Sequence, residues 1–203
     1  QSENMTETVS ELLKLSSIEA GEYDLNMENH KLGKLINQTV KAHQDQARLR
    51  NISLNVQLEE DIDIVVDASA FSIILSNFVT NALKHSPSNS EILIKNDLED
   101  DFLTTLSVID HGKGIPKKYR DRVFERFFRV DKGRAKHSGG TGLGLAISKH
   151  LARLMGYEVG MKPNKPNGSR FWISVNYASS EEEKSLTPES VSYTHLRAHE
   201  TSD

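Results

Sequence analysis

The stretch from Asp67 to Pro87, DASAFSIILSNFVTNALKHSP, constrains the fold most, because it predicts one long amphipathic helix. Asp67 is a favourable N-cap residue, and no Gly or Pro interrupts the run before Pro87. An apolar stripe recurs at helical spacing through Phe71, Ile74, Leu75, Phe78 and Ala82. The rest of the chain is therefore expected to be organised around this helix.

A polar stripe borders the apolar one and consists of Asn77, Asn81, Lys84 and His85. At about 100° per residue, Asn77 and Asn81 lie about 40° apart on the helix surface and one turn apart along it. Two amides and an ammonium group are thus predicted at the rim of a core, where a ligand could be half buried. The alternative is the solvated polar edge of an ordinary amphipathic helix, and this helix alone leaves both interpretations open.

Composition and charge limit the possible functions. The 203 residues suit one domain with or without appendages, and 36% hydrophobic with 27% charged residues is typical of a water-soluble globular protein. A formal net charge of −4 argues against nucleic acid as a partner. The absence of Cys excludes disulfides, thiolate catalysis and Cys-bound zinc. No apolar run approaches the roughly 20 residues of a membrane span.

Helical and strand patterns alternate loosely along the chain. Residues 1–20 predict the end of a helix closed by Gly21, and its apolar face is expected to pack against a partner helix outside this sequence. The other predicted elements are a short strand within 22–28, a helix over 31–49, strands over 52–58, 62–66, 91–97 and 102–109, a short helix at 117–124, a helix over 141–155, and strands over 157–161 and 170–176.

The strand pairs at 91–109 and 157–176 are predicted to be hairpins. Hairpins favour an α+β fold, namely a two-layer α/β sandwich with a mixed, largely antiparallel sheet, over a doubly wound parallel sheet. Residues 21–177 form the predicted domain. Residues 178–203 are polar, without a period, and are expected to be a disordered or non-native tail.

Two glycine-rich segments could bind a ligand. Asp110-His111-Gly112-Lys113-Gly114-Ile115-Pro116 directly follows a predicted strand, and its carboxylate could accept a hydrogen bond from the amine of a flat ring; the alternative is a tight turn with a solvated Asp. Ser138-Gly139-Gly140-Thr141-Gly142-Leu143-Gly144-Leu145 opens a helix, an arrangement typical of phosphate binding. A flexible hinge is the alternative for the second segment, although it does not explain the position at a helix start.

A basic segment separates the two glycine-rich stretches. Its cations, which face only Asp131, are Arg126, Arg129, Lys132, Arg134, Lys136 and His137. In an acidic protein this bias indicates an anion of several charges, such as a polyphosphate, with a solvated basic loop as the alternative. The preceding Phe124, Phe127 and Phe128 are interpreted as residues that anchor a lid in the core.

The order of these segments is more specific than any one of them. An Asn-Asn-Lys helix, DHGKGIP, RVFERFFRVDK and GGTGLGLAI follow one another as the N box, first glycine box, F box and second glycine box of sensor histidine kinases. Over roughly residues 10–177 the chain resembles the ATP-binding catalytic domain of that family, within the GHKL (Bergerat-fold) ATPases. The resemblance implies a Bergerat fold, preceded by the end of a dimerisation helix at residues 1–20, that binds ATP and Mg²⁺.

The resemblance also implies roles for residues on the central helix. Asn81 would coordinate Mg²⁺, and Asn77 would contact the waters of the metal or the phosphates. Lys84 would bind phosphate, and His85 stands beside the ribose and phosphates, where many members have Tyr. Arg129 would reach the γ-phosphate, so Asn77, Lys84 and Arg129 are the residues expected to act in the transfer.

Other roles fall on the glycine and phenylalanine segments. Asp110 would bind the adenine amino group, with Gly112, Gly114 and the adjoining Ile115 packed close to the base. Phe124 and Phe127 would anchor the ATP lid. The end of the lid and the start of the phosphate-binding helix would be formed by Gly140, Thr141, Gly142, Leu143 and Gly144. The last glycine element, Asn167-Gly168-Ser169-Arg170-Phe171, is thin compared with the family pattern.

The phosphorylated His of the family, in an SHELR-like segment, has no counterpart here. The predicted function is therefore a protein-histidine kinase domain that acts on a His of its own dimerisation domain and serves a response regulator. Asn77 fits this prediction, since hydrolytic relatives carry there a Glu that activates water. The alternative is a nucleotide-responsive binding module without phosphotransfer. By analogy the domain is expected on the cytoplasmic side of a membrane-bound kinase, and this fragment is expected to be monomeric or weakly dimeric.

Overall fold

A computed structural model describes residues 2–99, 102–130 and 140–177. Its helices are α1 (Ser2–Glu19), α2 (Leu32–Leu49), α3 (Ala68–His85) and α4 (Gly144–Leu154), with a short 3₁₀ helix at Lys117–Arg122. Its strands are β1 (Met27–Lys31), β2 (Ser53–Gln57), β3 (Asp63–Asp67), β4 (Glu91–Leu98), β5 (Leu103–Ile109), β6 (Glu158–Pro163) and β7 (Ser169–Asn176). The predicted tail at 178–203 lies outside the described residues.

Five of the strands form one mixed sheet in the order β2–β4–β5–β7–β6. Only the β2–β4 pair in this sheet is parallel, and the other three pairs are antiparallel. Strands β1 and β3 form a separate antiparallel pair. The predicted α+β sandwich with a largely antiparallel sheet is confirmed.

Helix α3 lies at the centre of the core, as its apolar stripe predicts. Phe71, Ile74, Leu75 and Phe78 are buried together with the inward faces of the sheet strands. The start of α3 is fixed by Asp67, whose Oδ1 accepts a hydrogen bond from the Ala70 N–H at 2.8 Å. The helix therefore holds a fixed position, and its polar edge reaches the rim of the core.

Two elements begin three or more residues away from their predicted starts. The strand expected within 22–28 is β1 at Met27–Lys31. The helix expected from Thr141 begins at Gly144, because Gly142 has a left-handed φ of +74°, which a right-handed helix does not allow.

Helix α1 is amphipathic and packs one face on this chain. Leu15 and Ile18 are buried in the core of this chain, where α1 packs against α4. Val9, Leu12 and Leu13 remain exposed. None of the described helices is long and apolar enough to cross a membrane.

Candidate functional site

A cavity of about 720 Å³ opens between the end of α3, the segment after β5, the residues before α4 and the β6–β7 turn. Its lining residues are Asn81, Lys84, His85, Asp110, Lys113, Gly114, Ile115, Pro116, Arg120, Val123, Phe128, Arg129, Val130, Leu145, Pro163, Asn164, Pro166, Asn167, Gly168, Ser169 and Phe171. Three of the sequence-predicted segments thus meet at one cavity. A volume of this size suits a ligand as large as a nucleotide.

Asp110 is the buried acceptor in this cavity. Its carboxylate Oδ1 accepts hydrogen bonds from the main-chain N–H of Gly112 at 2.8 Å and of Ser169 at 3.2 Å. Both of these main-chain donors contact Oδ1, and the side chain of Ser169 also hydrogen-bonds to the carboxylate. Burial raises the pKa of Asp110, although these hydrogen bonds oppose the rise. Oδ2, which receives neither main-chain hydrogen bond, is the oxygen suited to a ligand that donates a hydrogen bond.

The two glycines after Asp110 are required by close main-chain contacts. A Cβ on Gly112 would lie 2.5 Å from the main-chain oxygen of His85, at the end of α3. Gly114 has a left-handed φ of +69°, and its Cβ would lie 2.9 Å from the Gly168 oxygen. The segment can therefore approach both α3 and the β6–β7 turn only where side chains are absent.

Cations gather where the end of α3 meets the residues before α4. Lys84 and Arg129 both line the cavity, beside Asn81 and His85. Arg129 Nη1 donates a hydrogen bond to the Gly140 main-chain oxygen at 3.2 Å, and a Cβ on Gly140 would lie 2.4 Å from Lys84 Nζ. Two positive charges therefore face the same space, which favours a polyanion there. Four further predicted cations, at positions 132, 134, 136 and 137, lie outside the described residues.

Asn77 has different partners from those that the resemblance implies. Its Nδ2 donates hydrogen bonds to the Gly144 main-chain oxygen at 2.8 Å and to Ser148 Oγ at 3.0 Å. The side chain thus joins α3 to the first turns of α4, and it is not among the described residues that line the cavity. Asn77 therefore positions the second glycine segment, a role that periodicity along α3 could not reveal.

The two predicted lid anchors, Phe124 and Phe127, also differ from each other. The ring of Phe124 packs edge-on against Phe171, with 6.3 Å between the ring centroids. The Phe127 side chain is 56% exposed, so the ring is not an anchor. Its main chain takes a left-handed φ of +58° and donates a hydrogen bond to the Gly142 oxygen at 2.9 Å. The anchoring ring on the cavity side is instead Phe128.

The second glycine segment contacts other parts of the protein. Thr141 Oγ1 donates a hydrogen bond to Glu11 of α1 and accepts one from the Leu143 N–H at 3.1 Å. Leu143 is fully buried, and a Cβ on Gly144 would lie 3.0 Å from Asn77 Oδ1. Thr141, Gly142, Leu143 and Gly144 are therefore near the site, but among the described residues they do not line the cavity.

Sequence reasoning assigned no ligand-binding role to one wall of the cavity, the β6–β7 turn, although it noted Asn167-Gly168-Ser169-Arg170-Phe171 as a thin glycine element. This turn contributes Pro163, Asn164, Pro166 and Asn167, followed by Gly168 and Ser169. The Asn-Gly pair signals a hairpin turn but not what the turn packs against. Lys113 and Arg120 also line the cavity and were not predicted as site residues.

Comparison with known proteins agrees with this geometry. Residues 66–179 match the family described as histidine kinase-, DNA gyrase B-, and HSP90-like ATPase. The chain belongs to this ATPase family. The predicted resemblance to sensor histidine kinase catalytic domains is confirmed, since relatives and solved structures of that kind match the chain.

Two curated relatives illustrate the likeness. The chain is 31% identical over 189 residues to the sensor histidine kinase WalK of Bacillus subtilis, covering 90% of this chain and 30% of the relative. It is 34% identical over 185 residues to the sensory/regulatory protein RpfC of Xanthomonas campestris, covering 88% of this chain and 26% of the relative. The chain thus spans between a quarter and a third of the length of these relatives.

Solved structures show the same fold. Full-length ShkA, crystallised in complex with AMPPNP, superposes with a TM-score of 0.76 at 26% identity, over 87% of this chain and 36% of ShkA. The mycobacterial sensor histidine kinase MprB gives a TM-score of 0.65 at 26% identity, over 76% of this chain and 99% of that structure. Both likenesses support the α+β fold described above.

Proposed function

We propose that this chain is the ATP-binding catalytic domain of a two-component sensor histidine kinase, which transfers the γ-phosphoryl group of ATP to a histidine on a dimerisation domain. One observation carries the proposal: a single cavity combines the buried carboxylate of Asp110 with two cations, Lys84 and Arg129. An adenine nucleotide carries the matching groups, an amino group on the base and a chain of phosphates.

The base is bound through Asp110. Its Oδ1 is held by two main-chain N–H groups, so Oδ2 is oriented to accept a hydrogen bond from the adenine amino group. Phe171 and Ile115 also line the cavity and supply apolar surface for the ring. The ionised form of Asp110 makes the stronger hydrogen bond, so binding should depend on its titration.

The phosphates are bound by Lys84 and Arg129, which neutralise charge as the γ-phosphoryl group moves. Phosphoryl transfer depends mainly on such positioning and neutralisation. The amide oxygen of Asn81 in the same cavity is a hard ligand of the kind that Mg²⁺ accepts beside waters and substrate phosphates. When bound there, Mg²⁺ would offset the negative charge of the phosphates.

The acceptor is the imidazole of a histidine on another segment. A neutral imidazole nitrogen attacks the γ-phosphorus, a N–P bond forms, and the bond from the γ-phosphorus to the bridging oxygen breaks to release ADP. Imidazole is itself nucleophilic, so this domain needs no strong general base. Asn77 supports transfer over hydrolysis, because its amide cannot take a proton from water and is hydrogen-bonded to α4.

The test combines the chain with radiolabelled Mg-ATP and a purified dimerisation hairpin that carries an acceptor His. We expect acid-labile, base-stable phosphate on the hairpin, and none on a hairpin whose acceptor His is changed to Ala. Lys84→Ala should strongly reduce the labelling. If the chain binds ATP but the hairpin stays unlabelled, the chain is a nucleotide-responsive binding module instead.

The partners of the full-length protein follow from the same proposal. They are its own His-bearing dimerisation domain and a response regulator that receives the phosphoryl group. On the family resemblance we place this domain on the cytoplasmic side of a membrane-bound kinase. Fractionation of cells that express the full-length protein would test this placement.

A further inference from the structure

The β6–β7 turn packs directly against the segment that carries Asp110. Gly168, in the turn, has a left-handed φ of +123°, and a Cβ there would lie 1.9 Å from the Asp110 main-chain oxygen. The Gly168 oxygen in turn approaches Gly114. The turn therefore touches the main chain on both sides of the first glycine segment, and no side chain fits between them.

Asp110 is held by this turn through several of its atoms. Its main-chain N–H donates to the Ser169 oxygen at 2.9 Å, and the Ser169 N–H donates to Oδ1 at 3.2 Å. Asn164 Nδ2 donates to the Asp110 main-chain oxygen at 2.9 Å. Asn164 thus provides a side-chain hydrogen bond from the turn to the main chain of Asp110.

Asn164 also holds its own turn in shape. Its main-chain N–H donates to the Gly168 oxygen at 3.1 Å, which closes the turn. The side chain is half-buried and lines the cavity. The neighbouring Asn167 lines the same cavity but is exposed and, among the described residues, has no hydrogen bond to Asp110. These two asparagines provide a matched comparison within one turn.

We propose that Asn164 is a positioning residue for recognition of the nucleobase, because its amide holds the main chain of Asp110 and so orients the carboxylate oxygen Oδ2 toward the amino group of adenine. The inference rests on the proposed function, ATP binding at this cavity. A purine with a carbonyl oxygen at the position of that amino group would face Oδ2 with a second acceptor, and the two would repel. Discrimination between the two purines therefore depends on how firmly Asp110 is held.

The experiment measures the affinity of the chain for ATP and for inosine triphosphate, which has the carbonyl oxygen, by calorimetry in excess Mg²⁺. The proteins are wild type, Asn164→Ala, Asn164→Asp, Asn164→Ser and Asn167→Ala. We expect Asn164→Ala to weaken ATP binding by about fivefold, the usual effect of one hydrogen bond, while inosine triphosphate changes by less than about twofold. The ratio of the two affinities should then fall, and Asn167→Ala should leave it unchanged.

The other two variants sharpen the test. Asn164→Asp keeps the shape but places an acceptor against the Asp110 carbonyl, so it should lower the ratio at least as much as Ala. Asn164→Ser supplies a hydroxyl donor in place of the amide, so its ratio of the two affinities should lie between those of Asn164→Ala and wild type. Thermal unfolding of each variant shows that it is folded, and the three substitutions at position 164 guard against the failure of any one.

Three outcomes would overturn the inference. One is an unchanged ratio in the folded Asn164 variants, even if both nucleotides bind less tightly, because a merely structural role lowers both alike. Another is an equal fall in Asn167→Ala. The third, a wild-type chain that binds no ATP, would instead refute the proposed function on which the inference rests.

Discussion

Asp110 meets two opposing requirements at a single side chain. Burial disfavours its charge, so its pKa is raised, yet a ligand that donates a hydrogen bond is bound best by the charged form. Two main-chain hydrogen bonds to Oδ1 offset part of the cost of burial. The side chain is thus retained for binding at some expense of stability, as is common for functional residues.

Asp110→Asn should therefore raise stability while it abolishes binding. The folded-state pKa of Asp110 lies above its ordinary value of 3.8, so the folded state binds more protons than the unfolded chain between these values. As the pH rises through that window, wild type loses stability that the neutral Asn does not lose. We expect a higher melting temperature for Asp110→Asn at pH 7 by scanning fluorimetry.

The advantage of Asp110→Asn should shrink as the pH falls below the window, where the Asp of the wild type is also neutral. Binding of ATP at pH 7 should be lost in the same variant. An equal or lower melting temperature at neutral pH would show that the charge of Asp110 is not a cost to the fold.

Asn81→Ala should weaken nucleotide binding only when Mg²⁺ is present. The amide oxygen is the ligand that the proposal assigns to the metal, so its loss removes a contact that ATP alone does not use. We expect at least a tenfold loss of affinity in Mg²⁺ and less than about a twofold loss in EDTA, measured by calorimetry. Asn37→Ala, on the exposed face of α2, is the control. Equal losses with and without the metal would argue against this role.

At the scale of elements, the site is built where α3 and α4 meet. Asn77 on α3 donates to the main chain and to Ser148 of α4, and Ser148 Oγ donates to the same Gly144 oxygen at 2.9 Å. These hydrogen bonds join two helices between which β4 and β5 lie along the chain. The orientation of the second glycine segment therefore depends on α3 as well as on its own residues.

Asn77→Ala should lower the free energy of unfolding by about 1–3 kcal/mol, since it removes both side-chain hydrogen bonds that Asn77 makes from α3 to α4. Ser148→Ala removes two side-chain hydrogen bonds as well and should lower the free energy of unfolding by a similar amount. Urea unfolding of both variants and of the double variant gives the coupling energy, which should be about 0.5–1.5 kcal/mol. Simple additivity of the two single effects would show that the side chains do not act together.

At the scale of the whole molecule, α1 is part of the folded unit. Leu15 and Ile18 are buried in the common core, and Glu11 and Glu19 pair with Thr141 and Arg126. The helix therefore contacts both α4 and the segments that flank the candidate site. Val9, Leu12 and Leu13 of α1 stay exposed.

Leu15→Ala should destabilise the protein by about 2–5 kcal/mol, the usual cost of a cavity left by a buried leucine. Leu13→Ala should change stability by less than about 0.5 kcal/mol, because that side chain is 65% exposed. Thermal or urea unfolding of both variants tests the contrast. Equal effects of the two substitutions would mean that α1 does not pack on the core as described.

Much of the fold followed from local patterns. The periods of the helices and strands, the N-cap at Asp67 and the hairpin signals depend on residues a few positions apart, and nearly all predicted elements are present. The start of α4 was predicted three residues too early, at Thr141, because the apolar period does not report the left-handed conformation of Gly142. The order of the Asn helix and the glycine segments also identified the family.

Tertiary structure decided how the candidate site is closed. The polar stripe of α3 contains two asparagines that the sequence does not distinguish. Asn81 lines the cavity, whereas Asn77 donates a hydrogen bond to Ser148 of α4, which is 71 positions away in the sequence. The β6–β7 turn reaches Asp110 because β7, rather than β6, pairs with β5. The sequence alone determined which residues share a helix face or a turn, because those relations depend on local geometry. Which distant segment meets them depends on the strand order of the sheet, which only the folded chain reveals.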